Sequence, residues 1–299
     1  MSNSCEICGT SNWSKIYSKT IRNGAFANQV SGEISRCGGC SVDRLDENMC
    51  IQEEAYETEE YRDILEQGLA LEDFFIQGDP NQIYNLSAFW PLNIRGKLIA
   101  DIGTGGGSFS DHIASLAKKV VAIEPTKMYQ DSLKDRGYQV FDYTADALTE
   151  YRNSMDFVFS FQVIEHVLNP KLFLEEALEL LKPGGKLIIA TPNRNDILMK
   201  LLPDNFPAFF YRTQHRWYFD EDSLSFCLKE AAKGQAELLS IKYLHTFGIS
   251  NALAWLREKC PKGNLRLDGI NPVADKLWSS YLESSQQTDT LYLLAKKNN

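Results

Sequence analysis

The sequence predicts an α/β protein: a doubly wound, mostly parallel seven-stranded sheet with a small cysteine-bearing ribbon in front of it. Three observations predict this. From about residue 96, short apolar runs alternate with amphipathic helical stretches. A glycine-rich turn, Gly103-x-Gly105-x-Gly107, follows the first of those runs. Two Cys-x-x-Cys knuckles, Cys5/Cys8 and Cys37/Cys40, stand near the start of the chain.

The knuckles come first in the chain. Paired CxxC turns without an oxidising context read as a tetrahedral thiolate zinc site rather than disulfides. Gly9 follows Cys8, and Gly38 and Gly39 sit inside the second knuckle, where tight turns need them. Ile16, Tyr17, Ile21, Phe26, Val30 and Ile34 supply short ribbon strands between the knuckles. A four-sulfur site leaves no open position, so Cys5, Cys8, Cys37 and Cys40 are expected to hold a structural Zn2+. Cys50, Cys227 and Cys260 lack partners at ligand spacing and read as small hydrophobes.

Residues 1–50 thus form a zinc-ribbon-like segment, and residues 51–95 an acidic helical linker or cap. Residues 43–79 carry thirteen acids against Arg44 and Arg62, while the whole chain nets −9. Such a segment repels phosphate backbones, so no nucleic-acid partner is expected. The stretch EEAYETEEYRDI (53–64) reads as a helix over the ligand pocket, with Tyr56 or Tyr61 as its cover. No apolar run reaches 18 residues, so no membrane span is expected. MSNSCEICGT lacks an apolar signal core, and a cytoplasmic location is the expectation.

Residues 96–299 form the main domain. Strands are expected at 97–103, 119–125, 139–143, 155–161, 185–192, 236–244 and 289–297, with helices at 108–117, 126–136, 171–182 and 222–232. The runs are near-continuously apolar, as strands buried on both faces are. Ligands of such sheets bind beyond the carboxyl ends of the strands, here GTGGGS, EPTK, YTADAL, FQVIEH and TPNRN. The dinucleotide pattern GxGxxG counted from Gly103 requires glycine at 108, but Ser108 stands there, which weighs against a nicotinamide-dependent oxidoreductase.

DIGTGGG, the acid ending AIEP, YTADAL, FQVIEHV and LLKPGGKLIIATPN occur in the order of the motifs of class I S-adenosylmethionine-dependent methyltransferases, and residues 85–245 with the last strand resemble that family. The resemblance implies a Rossmann-like methyltransferase sheet and S-adenosylmethionine as cofactor. It implies a site built from Asp101, Gly103, Thr104, Gly105, Glu124, Pro125, Asp146, Ala147, Phe161 and Gln162. Glu124 would accept the ribose hydroxyls and Asp146 would contact adenine. The carbonyls of Phe161 and Gln162, with Asp101, would hold the methionine ammonium.

A hydroxyl acceptor wants a general base. Among His112, His166, His215 and His245, the candidates are His215 and His166. His112 reads as a surface or packing residue, and His245 has no assigned role. His215 lies in the aromatic segment 195–219, an expected cap that resembles the equivalent region of ubiquinone-biosynthesis-type methyltransferases; Asp220 or Asp222 caps the helix after it. Arg212 and Arg216 flank His215 and are candidates to grip an anionic substrate. The insertion 250–288 reads as a lid or a homodimer contact. The ribbon-plus-domain arrangement resembles sugar- and glycan-modifying methyltransferases, so the expected reaction is O-methylation of a small acceptor: a sugar, nucleotide-sugar or glycan in polysaccharide biosynthesis. C- or N-methylation, and a non-catalytic S-adenosylmethionine-binding zinc protein, stay open.

Overall fold

The computed structural model describes residues 4–24, 28–52, 54–58, 71–89, 91–263 and 265–299. The expected Phe26 and Tyr61 lie outside them. Two sheets organise the described residues. The larger has the order β10-β11-β8-β7-β4-β5-β6. Its strands are β4 (Leu98–Ile102), β5 (Lys119–Ile123), β6 (Gln139–Phe141), β7 (Met155–Phe161), β8 (Leu181–Pro192), β10 (Ala236–Leu244) and β11 (Thr290–Lys297). β4, β5, β6, β7 and β8 run parallel, and β11 is antiparallel to both β8 and β10. The seven expected strands are all present.

The central strands earn their burial from sequence. Ile99 and Ala100 of β4, Val121 and Ala122 of β5, and Leu187 to Ala190 of β8 are completely buried. Helices Ser108–Ala114, Lys127–Asp135, Pro170–Leu180 and Glu221–Ala232 cover the sheet. Asn169 caps the third through Leu172 N, with Pro170 in its first turn, and Asp220 caps the fourth through Ser223 N. A further helix, Thr144–Tyr151, occupies YTADAL and was not expected. Strand order reverses at β4, whose neighbours are β5 and β7. A crevice opens there beyond the strand ends.

The second sheet has the order β1-β2-β3-β9, from β1 (Trp13–Arg22), β2 (Gln29–Cys37), β3 (Asp43–Leu45) and β9 (Trp217–Tyr218). Its first three strands belong to the cysteine ribbon. The fourth comes from the 195–219 segment. Trp217 and Phe219 are completely buried in the cluster that also contains Cys5, Ile7, Cys37 and Val42. Trp217 Nε1 donates to Val167 O at 2.8 Å. Arg194, just after β8, bonds the Asp220 carboxylate, lies 2.9 Å from Asp43 Oδ1 and donates to Ser41 O. The ribbon is therefore fastened to the main domain by strand pairing, by a tryptophan and by a buried ion network.

Two short helices of the acidic segment are among the described residues. Helix Glu54–Glu57 reaches Thr126, whose hydroxyl donates to Tyr56 O at 2.7 Å. Helix Leu71–Gly78 sets Phe74 on the glycine turn. No helix among the described residues is long and apolar enough to cross a membrane.

Candidate active site

The glycine turn is shaped by backbone conformation. Gly103, Gly105 and Gly107 have φ of 71°, 56° and 93°, in the left-handed region that side chains disfavour. A Cβ on Gly103 would run into Val163 as well. The turn leads from β4 into helix Ser108–Ala114, so the chain passes close to the crevice with no side chain in the way.

Asp101 ends β4 and is only 2% exposed. Thr104 Oγ1 and Ser110 Oγ both donate to its Oδ2 at 2.7 Å. Asp101 lines the crevice. Burial pushes the carboxyl up to about 6, against the two hydroxyl hydrogen bonds. Glu124, at the end of β5, accepts from Gly105 N at 2.8 Å and Thr126 N at 2.9 Å. It thereby ties the glycine turn to the second strand end. Burial raises its carboxyl too. Ser108 Oγ is buried without a hydrogen-bond partner and faces the same cleft. Across the crevice, Gln162 follows β7 at φ 58° with its backbone N donating to Ala190 O at 2.8 Å. A glutamine held in the left-handed region at a strand end marks strain kept at a working position.

The cleft has a volume of about 600 Å³. Asp101, Gly103, Thr104, Phe161 and Gln162 line it. Gly105 and Glu124, bonded to each other, do not line this cleft. Pro125, Asp146 and Ala147 do not line this cleft: Asp146 is exposed, and its carboxylate accepts from Tyr143 N at 3.1 Å to cap helix Thr144–Tyr151, while Ala147 is buried under that helix. Segment 195–219 does form a wall, through Ile197, Leu198, Phe206, Phe209, Phe210 and Arg212. The insertion adds Asn251, Ala252 and Trp255 of helix Ile249–Glu258.

Of the four histidines, His245 lines the cleft; His166 and His215 do not. His215 is 4% exposed, and burial, with Arg212, drives its pKa far down. Burial lowers His166 to about 4. Its Nδ1 lies 2.7 Å from Gln214 O. Imidazoles so poorly basic are weak proton acceptors at neutral pH. They stand with Glu165 in a compact donor set, one ligand atom from each within 4.8 Å of the others. Glu165 Oε1, 3.9 Å from His166 Nε2, and His215 Nδ1 are buried without hydrogen-bond partners, a donor set of the kind that holds a divalent cation. His112 Nδ1 pairs locally with Ser108 O at 2.7 Å.

His245 follows β10, and Asp289 precedes the antiparallel β11, so both reach the functional edge of the sheet. His245 Nδ1 lies 3.0 Å from Asp289 Oδ1. Asp289 is held in turn by Thr246 N at 2.9 Å and Thr246 Oγ1 at 2.6 Å. Asp196, after β8, lines the same wall, and its carboxyl is pushed up to about 7, first by burial and then by Asp289. The cleft is thus lined on one side by residues at the ends of β4 and β7 and on the other by residues at the ends of β8, β10 and β11.

The ribbon cysteines converge as expected. All four sulfurs lie within 4.8 Å of one another, with Cys5–Cys40 at 3.7 Å and Cys8–Cys37 at 3.4 Å. Four thiolates at ~2.3 Å from one ion would stand ~3.8 Å apart at the corners of a tetrahedron, and a disulfide would need ~2.05 Å. The donor set fits a small closed zinc site.

Residues 83–231 match the family model described as a methyltransferase domain. The chain belongs to the class I S-adenosylmethionine-dependent methyltransferases. A Cereibacter sphaeroides ubiquinone biosynthesis O-methyltransferase is 37% identical to this methyltransferase over 111 residues, covering 35% of this chain and 45% of that protein. One from Ruegeria pomeroyi is 31% identical over 156 residues, covering 46% and 59%. The chain spans about half the length of the curated relatives it matches. The solved structure of a possible histamine N-methyltransferase from Thermotoga maritima superposes with a TM-score of 0.50 at 21% identity, covering 76% of this chain and 94% of that one. An S-adenosylmethionine-dependent methyltransferase from Archaeoglobus fulgidus gives 0.50 at 14%, covering 76% and 98%. These two likenesses concern the fold.

Proposed function

We propose that this protein transfers a methyl group from S-adenosylmethionine to a hydroxyl of a small-molecule acceptor. The observation that carries the reading is the group at the ends of β4 and β5: the buried Asp101 carboxylate on the cleft wall, the left-handed glycine turn, Glu124 tied to that turn, and the buried Ser108 hydroxyl without a hydrogen-bond partner. The donor supplies an electrophilic methyl on a sulfonium. Asp101 and the turn after β7 hold its ammonium, Glu124 takes the ribose hydroxyls, and Phe74 with the Phe109–Phe161 pair excludes water. Asp146 and Ala147 remain the proposed adenine contacts, with Pro125 beside Glu124. We further propose that Cys5, Cys8, Cys37 and Cys40 hold a structural zinc.

His245 is the proposed base, in place of His215 or His166. Asp289 meets His245 Nδ1 with both its carboxylate Oδ1, at 3.0 Å, and its backbone N, at 3.2 Å; in the tautomer that donates Nδ1–H to Oδ1, Nε2 accepts the acceptor hydroxyl's proton, and the carboxylate stabilises the imidazolium that results. Asp196 and Glu283 also face this histidine electrostatically. Transfer to oxygen is supported by the relatives, which are named as O-methyltransferases. A sugar, nucleotide-sugar or glycan acceptor rests on the ribbon arrangement alone, and those relatives' names point to a quinone pathway instead. An acceptor screen spanning phenols, catechols and nucleotide sugars, read by S-adenosylhomocysteine formation and product fragmentation, tests the proposal. With an active acceptor, His245→Ala should lower kcat ~10²–10⁴-fold and leave S-adenosylhomocysteine affinity unchanged. Full activity in that variant would remove His245 from the chemistry. Cofactor binding without turnover on any acceptor would favour a non-catalytic role.

A further inference from the structure

Two ribbon strands hold the aromatic wall of the cleft by its backbone. Segment 206–213 supplies Phe206, Phe209 and Phe210 to that wall. At the end of β1, Arg22 N donates to Tyr211 O and Thr213 N donates to Arg22 O, both at 3.0 Å. From β3 the grip passes through β9: Asp43 pairs with Tyr218, Arg44 pairs with Trp217, and Leu45 N donates to Arg216 O at 2.9 Å. The Tyr218 hydroxyl accepts from Arg212 N at 2.9 Å and donates to Arg212 O at 3.1 Å. The buried Tyr218 ring has its centroid 5.5 Å from that of Phe210 and 4.9 Å from that of Tyr211. Arg216, expected to grip an anionic substrate, pairs instead with Glu47 just past β3.

The packing behind the wall has the same source. Ile21, Ile34 and Leu45 of the ribbon are fully buried and share one cluster with Phe206, Phe210 and Tyr211. Helix Phe206–Phe210 has five residues, too few to be stable without such packing. β3 has three residues and β9 two, so neither holds its place by pairing alone. The cysteine cluster sets where β3 begins: Cys37 closes β2, Cys37 N donates to Val42 O at 2.9 Å, and Cys40 stands three residues before Asp43. The glycine turn is held from inside the main sheet, with Gly103 N on Ile123 O and Gly105 N on Glu124 Oε2, each at 2.8 Å.

We infer that Tyr218 is a positioning residue that carries the state of the cysteine site to the acceptor wall. With the metal bound the wall is ordered; without it the wall loosens while the glycine turn keeps its shape. Metal binding at such a cluster is coupled to the folding of the segment that bears it, and local opening costs less than global unfolding. The inference rests on the methyl-transfer reading, which makes the aromatic wall the acceptor side, and it gives the ribbon a part in acceptor binding.

The test follows amide exchange by mass spectrometry in the full chain before and after chelation, with S-adenosylhomocysteine affinity measured on the same samples by calorimetry. Chelation should speed exchange in peptides from 206–213 roughly tenfold, leave those from 98–105 within about twofold, and change S-adenosylhomocysteine affinity less than about threefold. Returning one equivalent of Zn2+ should restore the original rates. Tyr218→Phe keeps the ring and its packing but removes both bonds to Arg212. With zinc still bound, that variant should speed exchange in 206–213 and not in 98–105, and chelation should then add a smaller factor than in the wild type. Equal factors in the two proteins overturn the role of Tyr218. Chelation that leaves 206–213 unchanged, that loosens 98–105 as much, or that finds no metal to remove overturns the inference. Failure of the wild type to bind S-adenosylhomocysteine at all would instead strike the methyl-transfer reading.

Discussion

Replacing Asp101 with asparagine isolates the charge that should hold the cofactor's ammonium. In the unliganded protein this carboxyl titrates near 6 because it is buried. At pH 5 it is protonated about ten to one, and at pH 7 ionised about ten to one. Binding that needs the carboxylate is then ~10-fold weaker at pH 5 than at pH 7, or ~1.4 kcal/mol. The stability of the unliganded protein runs the opposite way. A carboxyl whose folded value lies above its unfolded one contributes stability below about pH 4 that is lost as the pH rises through about 6. In Asp101→Asn the charge-assisted hydrogen bond is gone, which costs ~1.5–3 kcal/mol, or ~10–150-fold in affinity at pH 7. Calorimetry of S-adenosylhomocysteine from pH 5 to 8, in two buffers of different ionisation enthalpy, reads both affinity and proton release. Glu124, also raised by burial, contributes to both proteins, so the informative quantity is their difference. The variant should release about one proton fewer at pH 5. Equal affinity at pH 7, or an unchanged pH slope, would refute the assignment of Asp101.

Gly103→Ala should abolish cofactor binding, since it adds a clash with Val163 to a disfavoured backbone; a titration of the purified variant checks this. Elemental analysis should find one zinc per chain, and Cys37→Ser or a strong chelator should remove it and lower Tm; metal-free protein of full stability would contradict the site. Trp217→Ala should cost ~3–5 kcal/mol in denaturant unfolding, because a buried indole joins the two sheets. Arg194→Ala should cost ~3–5 kcal/mol by the same measurement, since it strips a cation from the buried Asp43 and from Asp220.

The strand ends were legible because buried parallel strands are written as apolar runs: Asp101 stands near the end of such a run, and Gly103 and Gln162 sit immediately after theirs. Helix Thr144–Tyr151 escaped because its cap is Tyr143, paired with Asp146, rather than a serine or threonine. β9 escaped because two residues carry no period of their own; Trp217 and Tyr218 are defined by pairing with Asp43 and Arg44, far away in the chain. His245 and Asp289 were both in view but 44 residues apart. The signal was available. A histidine closing one strand and an aspartate opening its antiparallel neighbour must share one edge of the sheet. His166 and His215 attracted attention through the motifs around them. Burial, which sequence does not show, takes both off the cleft wall.

A crystal structure of the protein with S-adenosylhomocysteine tests the central claim most directly. The account predicts the nucleoside over the glycine turn, its ribose hydroxyls on Glu124, its amino group at Asp101, and its sulfur facing the half of the cleft that holds His245. A ligand bound elsewhere, or a glycine turn that leaves the nucleoside disordered at saturating concentration, would contradict it.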